Sequence, residues 1–128
     1  MRVLLDTHVF LWWVSDDARL SSVARNVIAS SETVLFSVAS VWEMAIKMRL
    51  GRLEIIDGDL ESFLRMQLTE NRFDVLPIQL THATALEALP LHHRDPFDRM
   101  LVCQSLVEEV PIVTADRSIS LYDVDVIW

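Results

Sequence analysis

Apolar and polar residues follow one another in blocks along the chain, and the blocks predict strands and helices in alternation. Strands are predicted where short, continuous aliphatic runs occur, at residues 2–5, 33–37, 73–78, 110–116 and 123–128. Helices are predicted where apolar residues recur three or four positions apart, at residues 7–14, 16–31, 38–53, 57–72, 81–89 and 96–109. This order favours an α/β protein in which helices cover both faces of a mainly parallel sheet.

Residues with known preferences for helix ends support several of these boundaries. Ser21 or Asp17 can cap the second helix, because short polar side chains accept hydrogen bonds from free N–H groups there. Gly51 lies where a glycine commonly ends a helix. Pro96 is well placed for the first position of the last helix, where its missing N–H is not needed.

The composition indicates one folded domain. A length of 128 residues fits a single domain over 1–128, and an apolar content of 52% can fill a core. The apolar runs are too short for a membrane span, and Asp6 interrupts the N-terminal run, which is unlike a signal peptide. Because Cys103 is the single cysteine, no intrachain disulfide can form, and we expect a reducing, cytoplasmic location.

The net charge of −8 argues against a protein that holds nucleic acid through its overall charge. A local basic groove, or a site in which bound cations supply positive charge, remains compatible with it. Among the eleven basic residues, Lys47 is the single lysine. Arginine suits bidentate recognition of phosphate, although compositional bias of the source genome explains the same preference.

Four acids occupy positions where a buried charge is unexpected. Asp6 and Asp116 directly follow aliphatic strands, and Glu43 and Asp98 lie on helices that follow strands or loops, among apolar neighbours. In a parallel sheet, such positions converge on the edge formed by the carboxyl ends of the strands. The sequence therefore predicts a cluster of carboxylates at one edge of the sheet.

Each acid also has a structural explanation of its own. Asp6 can cap the helix that follows it, and Glu43 can pair with Lys47 one helical turn away. Asp98 is placed for a capping box, and Asp116 is a common turn residue. These explanations do not account for all four acids sharing similar settings.

A cluster of carboxylates favours a bound divalent cation. Four such groups in one pocket repel one another and raise each other's pKa, and hard cations such as Mg²⁺ bind oxygen ligands. The histidines are not spaced as zinc ligands are. His92 and His93 are adjacent, so their side chains are expected to point apart and not to bind the ion, and His8 is expected to face solvent or its own helix.

Four segments together resemble the PIN-domain family of metal-dependent ribonucleases, specifically the VapC-like toxins of bacterial toxin–antitoxin pairs. The segments are LLDTHVFLWW, SVASVWEMAIKMRLGRL, HHRDPFDRMLVCQS and PIVTAD, which carry the four acids in order. The resemblance extends over essentially the whole chain. No single segment is specific for this family. The combination of all four segments, in this order and spacing and in so short a chain, is specific for it.

The resemblance implies a three-layer α/β/α fold with a mainly parallel sheet of about five strands. It also implies an endoribonuclease toxin that is held inactive by an antitoxin and forms a homodimer. Mg²⁺ or Mn²⁺ would orient a water molecule and neutralise charge on the RNA phosphate, with one or two ions bound. The implied catalytic and metal-binding residues are Asp6, Glu43, Asp98 and Asp116.

The resemblance assigns further residues to supporting roles. Thr7 would support the first acid through its hydroxyl, and Asp95 would be a cap, an indirect support of the site or an outer ligand. Arg94 and Arg99 flank the third acid and are candidates for RNA contact, although surface solvation is the explanation that we favour for each. Three tryptophans, Trp12, Trp13 and Trp42, can stack on bases, but we expect them in the core or a dimer interface.

Other functions remain to be distinguished. A phosphatase of the haloacid-dehalogenase type also has an Asp after its first strand, but it needs a second Asp where this chain has His8. A non-catalytic PIN-like binding module and a PIN nuclease that processes RNA without an antitoxin are closer alternatives. The RNA target, the choice between Mg²⁺ and Mn²⁺ and the identity of the antitoxin cannot be derived from the sequence.

Overall fold

A computed structural model of the protein describes residues 1–55 and 58–128. Within these residues the strands are β1 Arg2–Leu5, β2 Thr33–Ser37, β3 Asp74–Leu76, β4 Ile112–Val113 and β5 Val126–Ile127. The α-helices are α1 Thr7–Val14, α2 Ser22–Ser30, α3 Val38–Arg49, α4 Leu60–Asn71, α5 Leu80–Thr84 and α6 Pro96–Glu108. Two 3₁₀-helices occupy Ala85–Ala88 and Ile119–Leu121. The predicted α/β alternation is confirmed.

The five strands form one sheet in the order β3-β2-β1-β4-β5, and every neighbouring pair is parallel. The chain adds strands on one side of β1 and then returns to add β4 and β5 on the other side. The strand order therefore reverses between β1 and β4. In open parallel sheets, ligands bind at the carboxyl ends of the strands at such a reversal.

Two apolar clusters cover opposite faces of the sheet, because successive side chains of a strand point in opposite directions. Val3 and Leu5 of β1 pack with residues of α1, α2 and α4 in one cluster. Leu4 packs in the other cluster with residues that include Leu101 and Val102 of α6. The sheet therefore lies between two helical layers, and the expected three-layer α/β/α fold is confirmed.

The helix ends agree with the sequence prediction in part. Ser21, not Asp17, caps α2 by accepting a hydrogen bond from the N–H of Ala24, and the helix begins six residues later than predicted. Asp17 instead binds the backbone and guanidinium of Arg19. Gly51 follows α3 with a φ of 71°, as expected for a glycine that ends a helix.

Two further sequence predictions concern the start of the fourth helix and the absence of a membrane span. The predicted start of the fourth helix at residue 57 lies outside the described residues, and the described helix α4 is capped by Asp59. In the described stretches of the chain, no helix has the length and apolar character needed to cross a membrane.

Candidate active site

Asp6 joins the end of β1 to the start of α1 and is almost completely buried, with 5% of its surface exposed. Its Oδ1 accepts a hydrogen bond from the N–H of His8 at 2.8 Å, so the expected helix cap is confirmed. Its Oδ2 accepts a hydrogen bond from the hydroxyl of Thr114 at 2.6 Å. Burial raises the pKa of Asp6, but the hydrogen bonds from His8 and Thr114 outweigh it, and the pKa lies below its ordinary value.

Glu43 is also buried, with 5% of its surface exposed. Its Oε2 lies 2.7 Å from Nζ of Lys47, which confirms the expected ion pair within α3. Its Oε1 accepts a hydrogen bond from the hydroxyl of Thr7 at 2.8 Å, and the same hydroxyl lies 2.8 Å from the hydroxyl of Ser40. The prediction that Thr7 supports the first acid is therefore wrong: Thr7 supports Glu43, and Thr114 supports Asp6.

The start of α6 brings a third acid toward the other two. Asp95 caps this helix, because its Oδ1 accepts hydrogen bonds from the N–H groups of Phe97 and Asp98. Burial, together with the charges of Asp6, Asp95 and Glu43, raises the pKa of Asp98 to about 7, although His93 acts in the opposite direction. The charges of acids that are distant in the chain therefore act on the carboxyl group of Asp98, as is expected of a cluster of like charges.

The fourth acid meets the third through a histidine. Nε2 of His93 lies 2.8 Å from Oδ2 of Asp116 and 3.1 Å from Oδ2 of Asp98. Burial lowers the pKa of His93, but the hydrogen bond to Asp116 and the charges of the neighbouring acids raise it above its ordinary value. The sequence did not predict this contact between His93 and the acids, because it depends on loop geometry, which no sequence periodicity reports; that His93 is not a metal ligand stays a prediction.

Three of the four predicted acids line one cleft of about 370 Å³. The residues that line it are Asp6, His8, Val9, Trp12, Arg19, Asp98, Ala115 and Asp116. Glu43 lies behind this lining, where Thr7 binds it, and its charge still acts on Asp98. Three of the four predicted acids therefore meet in the lining of one cleft, and the charge of the fourth, Glu43, acts on Asp98.

His8 stands at the edge of this cleft with 58% of its side chain exposed, as the sequence suggested. Its Nδ1 lies 3.7 Å from Oδ1 of Asp6. The hydrogen bond to Asp6 raises the pKa of His8, and burial opposes this. A protonated His8 would offset part of the charge of Asp6 in the metal-free protein.

The donor set fits a hard divalent cation. Asp6, Asp98 and Asp116 line one cleft, and carboxylate oxygens of Asp98 and Asp116 lie within 4.8 Å of each other and of a ring nitrogen of His93. Oxygen donors are what Mg²⁺ and Mn²⁺ prefer. After burial, the negative charges of Asp6, Asp95 and Glu43 are the main causes of the raised pKa of Asp98, so the acids repel one another. A cation held by these three carboxylates, with Glu43 adding to the field, would remove that repulsion.

The two candidate RNA-contacting arginines differ in their surroundings. Arg94 is exposed, and its contact with RNA stays a prediction. The guanidinium of Arg99 binds the carbonyls of Leu89 and Pro90 and the hydroxyl of Tyr122. These contacts give Arg99 a structural role in the loop before α6, and its contact with RNA stays a prediction as well.

Comparison with known proteins gives consistent matches. The PIN domain pattern matches residues 3–125. Over 118 residues the chain is 30% identical to Ribonuclease VapC22 of Mycobacterium tuberculosis, covering 90% of this chain and 87% of that protein. The fold resembles the crystal structure of VapBC2 from Rickettsia felis bound to a promoter DNA fragment (TM-score 0.72, 12% identity, 98% and 97% of the two chains). It also resembles FitAcB from Neisseria gonorrhoeae (TM-score 0.67, 20% identity, 97% and 95%).

Proposed function

Because this chain belongs to the PIN domain family, we propose that it is an endoribonuclease toxin that a cognate antitoxin holds inactive. The proposal includes a single nuclease domain over residues 1–128. The observation that carries it is the convergence of Asp6, Asp98 and Asp116, from three separate elements, on one cleft. A ribonuclease relative and structural neighbours from toxin–antitoxin complexes support the same function.

We propose that Asp6, Glu43, Asp98 and Asp116 are the catalytic acids and that they hold Mg²⁺ or Mn²⁺. When bound, such a cation lowers the pKa of a water molecule and neutralises charge on the phosphodiester. The protein holds its oxygens in place through Thr114 on Asp6 and through Thr7 on Glu43. These hydroxyls orient the carboxylates, as outer hydrogen-bond partners do at metal sites.

The cleft also offers a surface for the nucleotide beside the reacting phosphate. Trp12 packs against the core, as expected, but it also lines the cleft. The guanidinium of Arg19 lies 5.2 Å from the centre of the Trp12 ring and is oriented by Asp17. Aromatic and arginine side chains bind single-stranded RNA through stacking and phosphate contact.

We propose a homodimer because α3 has an exposed apolar face. Val38, Trp42, Ile46 and Leu50 recur every four residues and are all exposed, and Trp42 is 59% exposed. Trp42 is therefore outside the core, in contrast to Trp13, which packs against it. Since an apolar stripe of this kind marks an interaction surface, the dimer-interface alternative for Trp42 is the one the structure favours.

The experiment combines induced expression with RNA cleavage by purified protein. Wild type is expected to arrest growth and to cut total RNA with Mg²⁺ or Mn²⁺ but not with EDTA. Asp116→Asn should do neither, while Asp123→Asn, which changes an exposed acid outside the cleft lining, should match wild type. Co-expressed antitoxin should restore growth.

Two results would point to the alternatives. Cleavage of RNA without growth arrest, and without any effect of the neighbouring antitoxin gene product, would favour an RNA-processing nuclease. Absence of cleavage with every metal, from a folded protein, would favour a non-catalytic binding module.

A further inference from the structure

We infer that His93 is a positioning residue whose Nε2 donates a hydrogen bond to Asp116 and faces Asp98 at 3.1 Å, and that it is not itself a metal ligand. The inference rests on the proposed function, because the two acids are proposed to bind the cation. It assigns a role to a residue whose ring nitrogen lies within 4.8 Å of carboxylate oxygens of both acids, and which by proximity alone would be counted as a third ligand.

The backbone of the following residues fixes which ring nitrogen carries the proton. The N–H of Asp95 donates to Nδ1 of His93 at 3.1 Å, so Nδ1 must present a lone pair. A neutral imidazole then carries its hydrogen on Nε2. Nε2 therefore donates to Oδ2 of Asp116 at 2.8 Å and lies 3.1 Å from Oδ2 of Asp98. A protonated Nε2 has no lone pair to give to a cation.

The raised pKa of His93 does not change this assignment. A second proton would have to sit on Nδ1, where it would meet the amide hydrogen of Asp95 and break that hydrogen bond. The acids favour a charged imidazole, but the geometry around Nδ1 opposes it. In either state Nε2 remains a donor to Asp116 and faces Asp98.

A separate set of contacts holds the loop that carries His93. The hydroxyl of Tyr122 accepts hydrogen bonds from the N–H groups of His92 and His93, at 3.0 and 2.9 Å. Arg99 binds the carbonyl of Pro90 at 2.9 Å, and the same hydroxyl. The His93 side chain is 15% exposed. The imidazole is therefore built into the protein as a fixed group.

A fixed imidazole between two acids has a clear use in this site. Asp98 lies on α6 and Asp116 follows β4, where its Oδ1 accepts a hydrogen bond from the N–H of Ser118 at 2.8 Å. Nε2 of His93 connects the two carboxylates, because it donates to Asp116 and lies 3.1 Å from Asp98. It thereby sets the spacing of their oxygens and weakens the repulsion between them. Each carboxylate keeps further lone pairs for a cation, and partners of this kind commonly change metal affinity 10–100-fold.

The test uses two replacements of His93 and one of a nearby residue. His93→Gln places an amide N–H near the position of Nε2, whereas His93→Ala removes the donor. We expect His93→Ala to weaken Mn²⁺ binding about 10–100-fold and to slow RNA cleavage comparably. His93→Gln should stay within a few-fold of wild type, and Leu91→Ala, which changes a nearby side chain that is 75% exposed, should be unchanged. Calorimetric titration with Mn²⁺ measures the binding.

A second measurement needs no variant and no activity. In wild-type protein labelled with ¹⁵N-histidine, NMR should show His93 with its hydrogen on Nε2, before and after addition of Mg²⁺. A hydrogen on Nδ1 with a metal-induced shift of Nε2 would overturn the inference in favour of a ligand. His93→Gln as defective as His93→Ala would also overturn it. Neither the Mn²⁺ titration nor the NMR measurement depends on RNA cleavage. A failure of this inference can therefore be distinguished from a failure of the proposed ribonuclease function.

Discussion

Replacing Asp98 with asparagine is expected to abolish RNA cleavage and, at the same time, to stabilise the metal-free protein. Loss of cleavage should exceed about 100-fold, because Asp98 is proposed to bind the cation directly and even indirect partners of metal sites contribute 10–100-fold. The gain in stability follows from burial of Asp98 and from the charges of the neighbouring acids, which together raise its pKa to about 7 from an ordinary value of 3.8.

The sign of the stability effect follows from proton linkage. The folded protein keeps a proton on Asp98 that the unfolded chain releases near pH 4. Stability is therefore lost as the pH rises from about 4 to about 7, and the full cost is present above pH 7. That cost is roughly 2–4 kcal/mol at pH 8, so Asp98→Asn should raise the Tm of metal-free protein by about 5–15 °C.

Thermal unfolding in EDTA at pH 8 and pH 5 measures this effect. The difference in Tm between Asp98→Asn and wild type should shrink at pH 5, where Asp98 of wild type is largely protonated. Addition of Mg²⁺ at pH 8 should raise the Tm of wild type and leave the variant nearly unchanged. An Asp98→Asn protein that is less stable than wild type at pH 8 would contradict the charge cluster. Asp123→Asn serves as the control.

Replacing Asp6 with asparagine is expected to abolish cleavage by a similar factor but to lower stability. The hydrogen bonds from His8 and Thr114 hold the pKa of Asp6 below its ordinary value despite burial. An acid with a lowered pKa contributes stability above its unfolded value and loses it as the pH falls. At pH 7 that contribution is present, so Asp6→Asn should lower the free energy of unfolding by about 1–2 kcal/mol.

Urea unfolding of Asp6→Asn and wild type at pH 7 in EDTA measures the difference. Asparagine caps helices about as well as aspartate, so the loss reports the charge of Asp6 and its contact with Thr114. Two acids of one cleft thus have opposite effects on stability and the same effect on activity. If Asp6→Asn kept more than a tenth of wild-type cleavage, the role of Asp6 in the site would be refuted.

The sheet and its helices could be predicted because burial leaves a regular trace in the sequence. The aliphatic run of β1 and the three-to-four spacing of α6 both reflect which faces meet the core. The positions of Asp6 and Asp116 could be predicted for a related reason. Parallel strands must end at a common edge, so acids that end two neighbouring strands meet there.

The partners of these acids could not be predicted, because they depend on contacts between distant segments. Thr7 supports Glu43 and Thr114 supports Asp6, and no spacing in the chain distinguishes these pairs from the reverse. His93 turns inward because its loop is held by Tyr122, 29 residues away. The same contacts give Arg99 a structural role, whereas its sequence neighbours suggested contact with RNA.

The central claim is that carboxylates from separate elements hold one divalent cation at the end of β1. A crystal soaked in Mn²⁺, with data collected at the manganese absorption edge, tests it most directly. We predict an anomalous difference peak between Asp6, Asp98 and Asp116 in wild type, and no peak there in Asp98→Asn. A wild-type crystal of a protein that cuts RNA, with no peak in this cleft or with its peak elsewhere, would contradict the account.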